Sequence, residues 1–174
     1  MAVQAAQLSA GVGTTIYDLG RIASLWVSAF EILAHPRTDK SGLRYVYPLF
    51  DRVCYFNREI GRRRYTAYMN QKKPWPHRSF SCWLYGELYQ ARNDFLHGNP
   101  ITVKSLYPKG SKVSLFWAAP ALYRLALTGL LELSVAGKYP KVGSAPAIAE
   151  YANTRMLFME PQSIIERALL KMRQ

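Results

Sequence analysis

The chain has 174 residues, 49% of them hydrophobic, which suits one domain with a single buried core. Its 23 Lys and Arg against 11 Asp and Glu give a formal charge of +12, a balance that favours polyanionic partners, nucleic acid ahead of an anionic membrane, over an acidic or neutral surface function. Cys54 and Cys82 form no Cys-x-x-Cys pattern and His35, His77 and His97 are scattered, which argues against a zinc or disulfide framework and for no metal or cofactor.

The first residues lack a basic start followed by an apolar run, so no secretory signal is read, residues 1–13 are expected to be mobile, and a reducing, cytoplasmic setting is expected. From Tyr17 to Leu33, apolar residues including Leu19, Ile22, Trp26 and Phe30 recur at helical spacing and predict the first long helix. It should stop at His35-Pro36, with a loop over Thr38 to Gly42. Leu43 to Met69 reads as a second helix, interrupted at Pro48 and weakened at Gly61, with Leu49, Val53, Phe56 and Ile60 turned inward.

Gln71 to Pro76 is an extended connection, after which Ser79 caps a third helix running to His97. Phe80, Trp83 or Leu84, Leu88, Ala91 and Phe95 form its inward set, and Gly98 and Pro100 mark its end. Ile101 to Val113 is read as loop. Ser114 to Val135 reads as the most buried helix, ended by Gly137; its Pro120, Arg124 and Glu132 favour a buried core helix over a membrane span. Residues 138–150, rich in Pro, Gly, Ser and Ala, predict a flexible linker before a last amphipathic helix over Ile164 to Met172. The expected fold is one all-α domain over residues 1–174, a bundle of four main helices with a C-terminal helix.

The third helix ends in Ala91-Arg92-Asn93-Asp94-Phe95-Leu96-His97-Gly98-Asn99. An arginine followed by a polar residue and, after a spacer of a few residues, a histidine, late in the third helix of an all-helical bundle, resembles the signature of the HEPN superfamily (higher eukaryote and prokaryote nucleotide-binding domains). Arg92, Asn93 and His97 match it residue by residue, and Phe30-Glu31-Ile32-Leu33 looks like the Glu-containing end of the family's first helix. The resemblance implies a metal-independent endoribonuclease leaving a cyclic phosphate and a 5′-hydroxyl. It also implies a homodimer with a composite site, and a toxin-like or defence setting with a neutralising partner protein. Non-catalytic RNA- or nucleotide-binding members are the alternative, as is a helical protein-interaction domain.

The residue types suit the chemistry that the resemblance implies. Histidine takes and returns a proton near neutral pH, which suits His97 to the ribose 2′-hydroxyl. Arginine presents a planar fork to a phosphate, which suits Arg92 to the charge developing in the transition state, with Asn93 orienting His97 or the ribose. On a regular helix Arg92 and His97 diverge by about 140°, so one copy does not surround a phosphate and a two-fold dimer through this helix end is expected. A structural reading stands beside this one: Arg92 and Asp94 as solvated charges and His97 as part of the helix cap. A second candidate is the basic and aromatic tract of Arg58, Arg62, Arg63, Arg64, Lys72, Lys73 and Trp75, expected to follow RNA phosphates and stack on bases, or else to be a solvated face backed by core aromatics.

Overall fold

The computed structural model describes residues 1–7, 15–35, 42–69, 74–99, 101–131 and 145–172. Eight α-helices are present among them: α1 Ala2–Gln7, α2 Ile16–Ala34, α3 Leu43–Asp51, α4 Arg58–Gly61, α5 Phe80–Leu96, α6 Leu115–Leu130, α7 Ala145–Thr154 and α8 Glu160–Lys171. The one small sheet among the described residues pairs β1, Tyr65–Thr66, antiparallel with β2, His77–Arg78, Tyr65 opposite Arg78. The protein is all-α, and none of its described helices is long and apolar enough to cross a membrane.

α2 begins in a reciprocal cap. Thr15 accepts from the backbone N–H of Asp18, whose carboxylate accepts from the backbone N–H of Thr15, so two of the first orphan donors are satisfied together. Its buried stripe of Leu19, Ile22, Trp26, Phe30 and Leu33 follows the predicted spacing, and the helix stops at His35 as Pro36 requires.

α5 is the central element: it touches α2, α3, α4, α6 and β1. Residues around most of its circumference are therefore buried, Tyr85 and Tyr89 as well as Phe80, Leu84, Leu88 and Ala91, and Trp83, Glu87, Gln90 and Asp94 form a half-buried strip along the remaining face. Its ring cluster is dense, with Phe30 of α2 at 4.8 Å from Tyr85 and 5.4 Å from Tyr123 of α6. α3 and α6 cross where Gly129 has no side chain, because a Cβ there would stand 1.8 Å from the carbonyl oxygen of Leu49.

Several expectations need correction. Residues 1–13 are not mobile throughout: Ala2–Gln7 is helical and buries Ala5 in the main core. The helix expected over Leu43 to Met69 is α3, a loop, α4 and β1. Pro48 does not break α3, since it and Arg44, whose carbonyl loses its helical donor, both lie on the exposed side.

The break comes later, where the buried Glu166 of α8 accepts from the backbone N–H groups of Phe56 at 3.1 Å and Asn57 at 2.7 Å. Gln162 donates to Glu166 and to the Cys54 carbonyl, both at 2.9 Å, completing a clamp that holds this loop out of a helix. Phe56 is accordingly exposed rather than inward, while Leu49, Val53 and Ile60 are buried as expected.

Part of the segment read as loop is a 3₁₀ turn, Val103–Leu106, capped by Thr102. Within the span expected as a linker, residues 145–150 belong to α7; the other linker residues lie outside the described ones. α7 passes through a π-helical turn, Arg155–Met159, into α8, which starts at Glu160 with Pro161 in its first turn, four residues earlier than read. α6 ends at Leu130, and Gly137 lies outside the described residues.

Candidate functional site

α5 ends as its sequence requires. His97 is the C-cap, Gly98 takes φ +74, and the two closing bonds run from Gly98 N to the Phe95 carbonyl at 3.1 Å and from Asn99 N to the Asp94 carbonyl at 2.8 Å. This is a Schellman ending, in which the left-handed glycine turns the chain so that orphan carbonyls find donors. The Asn99 amide also donates to the Asp94 carboxylate at 3.4 Å, which draws that charge toward the turn.

A small second core of Leu19, Ala91, Ile101 and Leu106 with Phe95 and Phe116 buttresses this end. Gly20 of α2 makes room for it: a Cβ there would stand 2.0 Å from the Phe95 ring. Leu96 and His97 are left exposed, and the imidazole of His97 has no hydrogen-bond partner among the described residues.

Arg92 is directed elsewhere. Its guanidinium lies 4.5 Å from the ring centre of Tyr89, one turn back, and its Nη2 donates to Glu31 Oε1 of α2 at 3.1 Å. α2 and α5 run antiparallel, Phe30 beside Tyr85 and Gly20 beside Phe95, so a head group at Glu31 has travelled away from His97 along α5. The pair is largely withdrawn from solvent, with side-chain exposures of 18% for Arg92 and 19% for Glu31. One chain therefore presents His97 and half-buried Asn93 at the helix end, while the Arg92 guanidinium is held back against Tyr89 and Glu31.

Burial lifts the Glu31 carboxyl above the usual carboxylate range, and the charge and hydrogen bond of Arg92 pull it partly back. The folded protein then keeps a proton that the unfolded chain releases, so this group favours folding most at acid pH and less as pH rises through its raised value. Glu87, also raised by burial, acts in the same direction. Glu31→Gln is expected to flatten the decline of stability as pH rises above the ordinary glutamate range, read by urea unfolding. A slope equal to that of the wild type would contradict a desolvated Glu31.

The basic tract is spread over α4 and the turn into β1. Arg62 pairs with Glu59 at 2.9 Å, Arg64 pairs with the same carboxylate, and Arg63 reaches Asp51 at 3.7 Å. Asp51 is also held by Arg78 at 2.7 Å. Arg58 and these three arginines are exposed, while Trp75 is half-buried with its ring edge-on to Tyr68 at 5.1 Å. Lys72 and Lys73 lie outside the described residues. Among the described residues no group of three or more His, Cys, Asp and Glu is placed to hold a metal ion.

Sequence reading pointed to Glu31 only through the family likeness, and gave no sign of its bond to a residue 61 positions away. The Tyr89 contact had a local signal, the spacing of three that puts two residues on one helix face. Comparison with protein-family models, with curated proteins and with solved structures yields no match to this chain.

Proposed function

We propose that this chain is a HEPN-type domain that acts on RNA as a metal-independent endoribonuclease, in a two-fold dimer formed through the C-terminal end of α5. The observation that carries the reading is the exposed imidazole of His97, without a hydrogen-bond partner among the described residues, at the Schellman-capped end of the helix that also bears Arg92 and Asn93. In this scheme His97 takes the proton of a ribose 2′-hydroxyl as that oxygen attacks the adjacent phosphate. The P–O5′ bond breaks as the 5′-oxygen takes back a proton from the resulting imidazolium, directly or through water, giving a 2′,3′-cyclic phosphate and a 5′-hydroxyl. Arg92 of the other protomer meets the charge on the phosphate, and Asn93 orients the imidazole or the ribose. The formal charge of +12 and the exposed arginines of the α4 region favour the RNA backbone. A toxin-like or defence role with a neutralising partner belongs to the same reading.

Division of the site between protomers is what the separation of Arg92 from His97 in one chain asks for, and mixing two defective variants tests it. Arg92→Gln and His97→Ala dimers are each expected to be inactive, and their mixture, after subunit exchange, to regain about a quarter of wild-type activity because one composite site per mixed dimer is intact. No recovery on mixing would contradict a shared site.

One observation favours a second reading, a non-catalytic RNA- or nucleotide-binding module: Arg92 is already engaged by Glu31 and Tyr89, a structural use of the side chain. That module would show RNA affinity and no cleavage by the wild type.

A further inference from the structure

Away from the end of α5 described above, its first two turns form one wall of an open groove of about 520 Å³, the size range of small-ligand sites. The floor is aromatic. Trp83 lies nearly parallel to Tyr65 at 5.7 Å and to Phe80 at 5.6 Å between ring centres, so the indole is held in place before any ligand arrives. Two cations stand on the rim, Arg64, whose guanidinium lies 5.6 Å from the Tyr65 ring centre, and Lys109 of the turn after the 3₁₀ helix. Arg64 is bound to Glu59 but keeps a solvent-facing side, and Lys109 has no ion pair among the described residues.

Glu87 completes the set. It stands four residues after Trp83, on the same face of α5, half-buried in the groove wall, with no hydrogen bond or ion pair among the described residues. Burial raises its carboxyl above the usual range, with no compensating partner. A desolvated acceptor without a donor is unfavourable in the free protein, and a ligand that brings donors relieves it.

We propose that this groove binds a guanine nucleotide, with the base against Trp83, its adjacent ring N–H and amino donors on the Glu87 carboxylate, and its phosphate between Arg64 and Lys109. The choice of base follows from donor geometry. Guanine offers two neighbouring donors to a carboxylate fork, whereas adenine and cytosine offer one exocyclic amine on that edge beside an acceptor that the carboxylate repels. The phosphate accounts for the two cations. The same chemistry is carried by a free nucleotide and by a guanosine within single-stranded RNA.

Calorimetric titration with guanosine 5′-monophosphate tests this, with adenosine 5′-monophosphate, guanosine and inorganic phosphate as companions. The guanine nucleotide is expected to bind most tightly, Glu87→Gln to weaken it about tenfold, and Lys109→Ala to weaken it severalfold. Glu87→Gln removes a half-buried carboxyl that has no partner among the described residues, so the fold is retained and a melting curve verifies that. His97→Ala should leave this binding unchanged, which separates the groove from the cleavage reading. Short single-stranded RNAs with and without one guanosine identify the source: discrimination by RNA that Glu87→Gln abolishes supports the proposal even where the free nucleotide binds weakly. Absence of a guanine preference in both the monophosphates and the RNAs, or indifference of both nucleotide and RNA to Glu87→Gln, would overturn it.

Discussion

Gly129→Ala is expected to lower folding stability by about 3 kcal/mol, and the melting temperature by roughly 10 °C for a chain of this size. The added methyl would lie 1.8 Å from the Leu49 carbonyl oxygen, 2.8 Å from its carbon and 3.3 Å from a methyl of Val53. Two of those atoms belong to backbone, so relief requires α3 and α6 to part rather than a side chain to turn. Parting them loosens the contact that packs Leu49, Val53, Leu125 and Ala126 into the main core. Gly98→Ala is the useful contrast. Its φ of +74 is strained for alanine, but a Cβ there meets nothing within 4 Å, so the expected loss is only about 1 kcal/mol. Equal melting temperatures for the two variants would contradict the close crossing.

His97→Ala is expected to reduce RNA cleavage by about 10²–10⁴-fold, the usual contribution of a positioned general base or acid. Stability should change by no more than about 0.5 kcal/mol, because the helix is closed by the backbone of Gly98 and Asn99 and the imidazole is exposed, with no hydrogen-bond partner among the described residues. On the proposed reading, affinity for RNA and its salt dependence should also persist, since that reading assigns them to the arginines and lysines. Initial rates, a melting curve and binding at two salt concentrations separate the three effects. A large loss of stability would return His97 to a capping role.

Local signals wrote much of this fold into the chain. The spacing of Leu19, Ile22, Trp26, Phe30 and Leu33 gives α2, Ser79 opens α5, and Gly98 closes it within one residue of the expected place. What the sequence did not reveal depends on partners distant in the chain. Glu166 takes the N–H groups of Phe56 and Asn57 from 110 and 109 positions away and so breaks a segment whose periodicity reads as helix. Tyr85 and Tyr89 lie outside the inward set that spacing predicts, because a helix packed around most of its circumference keeps only a narrow half-buried strip and buries more than one apolar stripe.

The site divides in the same way. Exposure of His97 at a glycine-closed helix end follows from adjacent residues, and so does its divergence from Arg92. Engagement of Arg92 by Glu31 required the antiparallel packing of α2 on α5, and the groove required β1, α5 and the 109–110 turn to converge. Proline and glycine in residues 138–150 concealed α7, although alanine around Pro146 is compatible with a helix when proline stands in its first turn.

The central claim is that the His97 end of α5 directs a ribose 2′-hydroxyl onto its own phosphate, and the chemistry of the cut ends tests it most directly. Wild-type protein and His97→Ala, each incubated with mixed single-stranded and structured RNA in excess chelator, are compared by end-group analysis of the fragments. The account predicts fragments from the wild type alone, carrying cyclic phosphate and 5′-hydroxyl ends. Intact RNA in both samples, fragments with 3′-hydroxyl ends, or equal cleavage by His97→Ala would contradict it.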